Sequence, residues 1–134
     1  MRRNSNFQKK LVAGSAFLGF LAVLLGAFGT HGLKKIVTPA MLVIFETGCR
    51  YQMVHVLAGL ALAGLTNFLS EKSLRAVVIC WGAGTLIFSG SLYLLVLTGR
   101  HFWGMVTPFG GILLMLGWFW LTVGALKKNG DDND

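Results

Sequence analysis

Four long stretches without a charged side chain constrain this fold more than any other feature of the sequence. Residues 11–33, 51–70, 76–99 and 101–126 contain no Lys, Arg, Asp or Glu, and each is at least 20 residues long. A helix of about 20 apolar residues crosses the hydrocarbon core of a bilayer and satisfies its own backbone polar groups there. The sequence therefore predicts an all-α, polytopic membrane protein, an antiparallel bundle of four transmembrane helices forming a single domain over residues 1–134.

Composition supports this class of protein and disfavours a nucleic-acid-binding one. Hydrophobic residues make up 54% of the chain and charged residues 13%, whereas charged residues make up about 25% of a typical soluble domain. The formal net charge of +7 could suggest a nucleic-acid partner. The basic residues flank the apolar stretches and do not form a polar face, so we predict that they orient the chain in the membrane and that nucleic acid is not a partner.

The distribution of basic residues predicts the topology. We expect spans at about 11–31, 51–70, 76–99 and 103–126, which place both termini on one side of the membrane. That side would hold Arg2, Arg3, Lys9, Lys10, Lys72, Arg75, Lys127 and Lys128, and the other side would hold Lys34, Lys35, Arg50 and Arg100. Because basic residues are enriched in cytoplasmic loops, we predict a multi-pass protein with both termini in the cytoplasm.

Small residues recur along single helix faces, which allows membrane helices to approach closely. Ser15, Gly19, Ala22, Gly26 and Gly29 follow one another at steps of four or three residues, so they share a face of the first helix. We expect Gly26 and Gly29 to lie against another helix. The predicted helix-packing residues are Gly19, Gly26, Gly29, Gly59, Gly110 and Gly117.

The start of the second helix stays open at this stage. Thr38 and Pro39 are typical of a helix N-cap and first helical residue. Residues 39–47 could form a short interfacial helix or an extension of the second helix toward the outer surface. Gly48 is the expected bend between the two if the helix is interrupted.

Residues 46–55 concentrate the polar side chains of an otherwise apolar chain. On a continuous helix His55 shares a face with Gln52 and Gly59, so we expect its ring to point into the bundle and to hydrogen-bond a group of the first or third helix. Glu46 and Arg50 have the spacing of a helical ion pair. The candidate functional cluster, all predicted in the outer half of the membrane, is His31, Glu46, Arg50, Tyr51, Gln52, His55, Ser89 and Ser91.

Four motifs in the chain resemble those of a known family. They are Gly-Ala-Phe-Gly-Thr-His-Gly-Leu at 26–33, Thr-Gly-Cys-Arg-Tyr-Gln-Met-Val-His at 47–55, Phe-Ser-Gly-Ser-Leu-Tyr at 88–93 and Thr-Pro-Phe-Gly-Gly at 107–111. In this order they resemble the YgdD-like family of small bacterial membrane proteins over about residues 11–126, with Thr30 in place of an expected Ala. The resemblance implies a bacterial inner-membrane location and four spans, and it implies no activity, substrate or cofactor.

Several chemical roles are open to the polar cluster. A zinc or copper site would draw on His, Cys and Glu, but no pair of them shows the close spacing of a metal motif, so we predict no metal and no cofactor. Ser89 or Ser91 with His31 or His55 would be the candidates for catalysis, but no nucleophile motif surrounds them, so we predict no enzyme and no catalytic residue.

Two functions remain as hypotheses. The first is a structural membrane protein that binds lipid, a partner membrane protein or a second copy of itself, with His55 and Gln52 organising the bundle. The alternative is a small transporter or channel for protons, ions or solutes that uses the outer His, Glu and Arg side chains.

Overall fold

The computed structural model describes residues 3–127. They form four α-helices and no strand, with α1 at Arg3–His31, α2 at Pro39–Gly64, α3 at Glu71–Thr98 and α4 at Phe102–Leu126. Two 3₁₀ turns, Leu33–Lys35 and Thr66–Phe68, lie in the connections on either side of α2. The predicted all-α, four-helix fold is confirmed.

Helix α2 is continuous from Pro39 through Gly48. The Thr38 hydroxyl accepts a hydrogen bond of 3.3 Å from the Met41 amide, which satisfies one of the free donors at the helix start. His55 is 16 residues from this start, a distance of about 24 Å along the helix. His55 is therefore farther from the start of α2 than predicted, since the prediction assumed that the second span begins at Tyr51.

By length and composition, three of the described helices could cross a membrane, namely Ser5–Lys35, which contains α1 from Ser5 onward, together with α3 and α4. The second predicted span does not meet this criterion. Its helix has 26 residues, but Arg50, Gln52 and His55 lower its mean hydropathy. Gln52 and His55 are buried inside the bundle. They therefore lower the mean hydropathy of α2 without placing their polar groups on its outer surface.

Consecutive helices are antiparallel neighbours, and the packing runs in the order α1, α2, α3, α4. Within the described residues, no comparable packing joins α1 to α3 or α1 to α4. The bundle is therefore open along α1. Two apolar clusters fill its core. One contains Leu62, Leu69, Leu74, Val77, Trp81 and Leu114, and the other contains Leu33, Phe45 and Val96.

Glycines bring α4 directly onto α3. A Cβ atom added at Gly110 would overlap the backbone of Phe88, and one added at Gly117 would overlap the indole of Trp81. At Gly84 of α3 the added atom would lie 2.8 Å from the Leu114 side chain. Gly110 and Gly117 thus sit in the close helix contacts predicted for them.

The contact between α1 and α2 uses some of the predicted small residues but not all of them. A Cβ at Gly29 would lie 3.1 Å from the Phe45 ring, and Gly19 meets Val56 at 3.1 Å. Gly59 faces the Ser15 side chain. Gly26 differs from our prediction, because a Cβ there would meet no atom within 4 Å.

The geometry of α1 explains the difference at Gly26. The residues of α1 most buried against α2 are Ser15, Ala22 and Gly29, which are seven residues apart. Gly26 is four residues after Ala22, and at 3.6 residues per turn it lies about 40° to one side of that line. Gly19 lies to the same side of that line, but the Val56 side chain of α2 is long enough to reach it.

Candidate functional site

Gln52 joins three helices in the centre of the bundle. Its side chain is buried, with 4% of the residue exposed. Its Nε2 donates a 2.8 Å hydrogen bond to the Leu18 carbonyl of α1. Its Oε1 accepts a 2.7 Å hydrogen bond from the Tyr93 hydroxyl of α3. Such an amide with partners on both sides sets the register of α1, α2 and α3 against one another.

A second contact between α2 and α3 lies one turn away. The Ser89 hydroxyl donates a 2.7 Å hydrogen bond to the Gly48 carbonyl. A Cβ at Gly48 would lie 2.7 Å from the ring of Tyr93, so only glycine allows this approach. Gly48, where we expected a bend if the helix is interrupted, lies inside a continuous helix and leaves room for the Tyr93 ring. We did not predict a role for Tyr93, although it lies four residues after Ser89 and therefore on the same helix face.

His55 is buried as predicted, with 8% of the residue exposed, and both its ring nitrogens have partners. Nδ1 lies 2.8 Å from the Tyr51 carbonyl, and a carbonyl oxygen can only accept. The proton is therefore on Nδ1, and Nε2 accepts a 3.0 Å hydrogen bond from the Trp118 indole. This arrangement requires the neutral ring, since a protonated Nε2 could not accept.

The partner of His55 differs from our prediction. We expected His31, Ser89 or Ser91 of the first or third helix, and Trp118 of α4 takes that place. The ring of His55 is 5.9 Å from the ring centroids of both Trp81 and Trp118. The two indoles are themselves 4.6 Å apart. The greater distance of His55 from the start of α2 brings it to the level of these indoles and away from the end of α1.

The other predicted cluster residues do not join this core. His31, Glu46 and Arg50 are exposed, and Tyr51 packs its half-exposed ring on Phe88 with centroids 4.6 Å apart. Ser91 is buried but bonds α4, with its hydroxyl 2.6 Å from that of Thr107. The eight residues thus divide into a buried set that joins helices and an exposed set on the outside of α2 and at the end of α1.

The ion pair that the spacing of Glu46 and Arg50 would allow is absent from the part of the chain that the structure describes. Glu71 and Arg75 have the same spacing and form such a pair at 2.7 Å. Exposed pairs at this spacing contribute little free energy, so spacing alone does not hold the two side chains together. The described residues also contain no group of three His, Cys, Asp or Glu side chains that could hold a metal ion.

A cavity of about 310 Å³ lies between α1, α2 and α3, on the side where α1 and α3 do not pack. We call it the α1–α3 groove. Most of its lining is apolar, and Lys10, Ser15, His55 and Thr85 are among its polar residues. Trp81 lines the groove and also packs against Gly117 of α4. The groove was not predicted, because the small residues of α1 indicated close packing against another helix.

Two glycines, Gly14 on α1 and Gly82 on α3, also line the groove. A Cβ at either position would meet no atom within 4 Å. Along α1 the groove runs from Phe7 to Leu18, which is about 16 Å at the helical rise. That length is close to one leaflet of a hydrocarbon core about 30 Å thick. Lys10 lies near one end of the groove, and Leu18 and His55 lie at the other.

These features define a small α-helical membrane protein with a polar centre and a lateral apolar groove. The sequence model of a family described as "Protein of unknown function (DUF423)" matches residues 25–111. The chain belongs to this family. No protein of known structure matches it.

Relatives from several bacteria match most of the chain. A "UPF0382 membrane protein" of Haemophilus influenzae is 41% identical over 113 residues, which cover 84% of this chain and 90% of the relative. The "UPF0382 inner membrane protein YgdD" of Escherichia coli K12 is 37% identical over 118 residues, covering 84% and 86%. The "UPF0382 membrane protein YwdK" of Bacillus subtilis is 37% identical over 120 residues, covering 89% and 98%. The predicted resemblance to YgdD-like membrane proteins is confirmed.

Proposed function

We propose that this membrane protein binds a membrane lipid, with one hydrocarbon chain of the lipid lying in the α1–α3 groove. The observation that carries the proposal is the pair of open glycines, Gly14 and Gly82, in the two walls of an apolar cavity. At Gly110 and Gly117 the missing side chain lets α4 pack directly on α3. Gly14 and Gly82 instead leave space inside a cavity that no side chain of the described residues fills.

The form of the cavity suits a single hydrocarbon chain. Ligand sites are mostly apolar cavities of about 300–1,000 Å³ with a few polar groups, and the groove is at the lower end of that range. Its lining residues extend along α1 from Phe7 to Leu18. A compact polar solute would leave this apolar lining without a partner.

The proposal includes the predicted topology, with α2 as a fourth span and both termini in the cytoplasm. Two observations support it. The polar side chains Gln52 and His55 of α2 are buried and hydrogen-bonded inside the bundle, as a membrane-spanning helix requires of its polar groups. Gln8 of α1 donates a 2.6 Å hydrogen bond to Thr66 in the connection before α3, so Lys10 and Lys72 lie toward the same end of the bundle, the predicted cytoplasmic one. Reporter fusions should give a cytoplasmic signal at Lys72 and an external signal at Lys35, and an external signal at Lys72 would contradict this orientation.

A transporter or channel has less support. Both ring nitrogens of His55 are engaged by protein groups. The exposed residues His31, Glu46 and Arg50 line no part of the groove. The proposal assigns the protein no catalytic step.

Groove-filling variants test the proposal. Gly14→Leu and Gly82→Leu would each place an isobutyl group in the space assigned to the lipid. Gly26→Leu on α1 and Gly90→Leu on α3 are matched controls, since a Cβ at either position also meets no atom within 4 Å, and neither lines the groove.

The measurement is native mass spectrometry of the full chain purified in detergent. We expect one bound lipid per chain in the wild type and in both controls, and loss of that lipid in both groove-filling variants. A wild-type chain without lipid, or groove variants that retain it, would exclude the proposal. Thermal unfolding of the same samples separates lipid displacement from misfolding.

A further inference from the structure

We infer that the lipid of the α1–α3 groove is an anionic phospholipid of the leaflet on the Lys10 side, with its phosphate bound by Lys10. This inference rests on the proposed function and adds the chemical class of the headgroup. It comes from the charges around the groove and from the depth at which each groove residue lies.

Charge at the groove is cationic. Lys10 is exposed and lines the groove one helical turn before Gly14. On the facing wall Arg75 lies three residues before Val78, a groove residue, and so lies on the same side of α3. No acidic side chain of the described residues lines the groove.

The residues near the Lys10 end of the groove are also mostly basic. The N-terminal parts of α1 and α3 include Lys9, Lys10, Lys72 and Arg75, and the acidic residue among them is Glu71. Glu71 pairs with Arg75 at 2.7 Å. Lys10 therefore has no acidic partner in the described residues, and its ammonium group is available to a phosphate.

The depth of the groove matches one leaflet. Lys10 and Leu18 are eight residues apart, which is about 12 Å along α1. A lysine near a helix end extends its charged group to the headgroup region, so Lys10 and the apolar groove together span about half of the hydrocarbon core. At the far end the Leu18 carbonyl is tied to Gln52 of α2.

A phospholipid fits this arrangement better than a neutral lipid or a free phosphate. Its acyl chain would lie along Leu11, Gly14 and Leu18, where the groove is apolar, and its phosphate would reach Lys10 at the surface. A neutral lipid would leave the Lys10 charge unused, and a free phosphate would leave the apolar groove unused. The charge and the apolar length thus favour one molecule that carries both.

Two neighbouring lysines allow a charge-matched test. Lys10→Gln and Lys9→Gln each remove one positive charge from an exposed side chain of α1. Only Lys10 lines the groove, since Lys9 lies on another face of the helix, beside Val12 and Ala13. Delipidated full-length protein would be titrated with phosphatidylglycerol or phosphatidylcholine of identical acyl chains, and binding would be followed by native mass spectrometry at low and high salt.

We expect the wild type to bind phosphatidylglycerol more tightly than phosphatidylcholine, with a preference that falls at high salt. Lys10→Gln should weaken phosphatidylglycerol binding about fivefold, the effect of about 1 kcal/mol per basic residue at an anionic membrane surface. Phosphatidylcholine carries the same phosphate, but its choline cation offsets that charge, so Lys10→Gln should weaken phosphatidylcholine binding less than phosphatidylglycerol binding. Lys9→Gln should bind both lipids like the wild type.

Each other outcome has a distinct meaning. If both lipids bind equally and Gly14→Leu abolishes both, the lipid groove stands and the headgroup inference is wrong. If Lys9→Gln weakens phosphatidylglycerol binding as much as Lys10→Gln, the preference reflects general surface charge and the inference is also wrong. If neither lipid binds the wild type, the proposed function fails with it.

Discussion

The α3–α4 contact and the α1–α3 groove use the same residue type for opposite purposes. In the contact, Gly110 and Gly117 lie directly against α3, where an added Cβ would overlap a neighbour. In the groove, Gly14 and Gly82 face open space. The difference is visible within α3 itself, where Gly84 touches Leu114 and Gly82, two residues away, lines the groove. A glycine in a membrane helix therefore leaves the volume of a side chain free. The neighbouring residues determine whether another helix or a cavity occupies that volume.

The largest expected effect on the free energy of unfolding is at the α3–α4 contact. Gly110→Ala would place a Cβ on the Phe88 backbone, so α4 must move away from α3 along its length. We expect the free energy of unfolding to fall by about 3 kcal/mol, measured by thermal unfolding in detergent.

Gly82→Ala is the control on the groove side. Its new methyl group meets no atom within 4 Å, so we expect a change within about 0.5 kcal/mol. Equal stability of the two variants would contradict the contrast between contact and groove.

A second comparison is between the buried and the exposed polar side chains of α2. Gln52→Leu would leave the Tyr93 hydroxyl without its acceptor inside the bundle. Losing the partner of a buried polar group costs about 1–3 kcal/mol, and we expect this decrease in the free energy of unfolding.

Glu46→Gln provides the exposed counterpart, since Glu46 is exposed and has no ion-pair partner in the described residues. Its free energy of unfolding in detergent should match that of the wild type. A Glu46→Gln variant as destabilised as Gln52→Leu would mean that the exposed charges also hold the bundle together.

The hydrogen bond between His55 and Trp118 gives a smaller expected effect. Polar contacts between membrane helices contribute about 0.6 kcal/mol on average. A double-mutant cycle with His55→Leu and Trp118→Phe should give a coupling free energy of this size. Trp120→Phe in place of Trp118→Phe is the control, because Trp120 is half-exposed and makes no hydrogen bond to His55. Equal coupling in the two cycles would show that the indole contact is not specific.

Much of the architecture could be predicted from the sequence, because each helix depends on local properties. The uncharged stretches, the helical periodicity and the Thr38–Pro39 helix start are all local features of the sequence. Together they predicted the helices that the structure contains. Burial of His55 followed from the face that it shares with Gln52 and Gly59. These predictions needed no knowledge of which helix lies beside which.

The partners across helices could not be predicted in the same way. The Trp118 contact of His55 depends on the relative register of α2 and α4, which periodicity within one helix does not contain. Tryptophans of membrane proteins commonly lie at the lipid–water interface, and no local feature of the sequence indicates that Trp81 and Trp118 lie beside His55 instead. The groove depends on α1 and α3 failing to pack, whereas the small residues of α1 predicted close contact with another helix.

The smallest expected effect is at Gly26, and it separates the sequence-based interpretation of α1 from its structure. The spacing of small residues predicted that Gly26 lies against another helix, so that Gly26→Leu would overpack the interface and cost about 1–3 kcal/mol. In the structure a Cβ at this position meets nothing within 4 Å, and we expect a change within about 0.5 kcal/mol. Gly29→Leu is the matched variant one turn away, where Phe45 lies 3.1 Å from the added Cβ, and it should carry the overpacking cost. Thermal unfolding of the two variants in the same detergent decides between them. A destabilised Gly26→Leu beside an unaffected Gly29→Leu would mean that α1 is rotated about its axis relative to this structure, which would also turn Gly14 out of the groove.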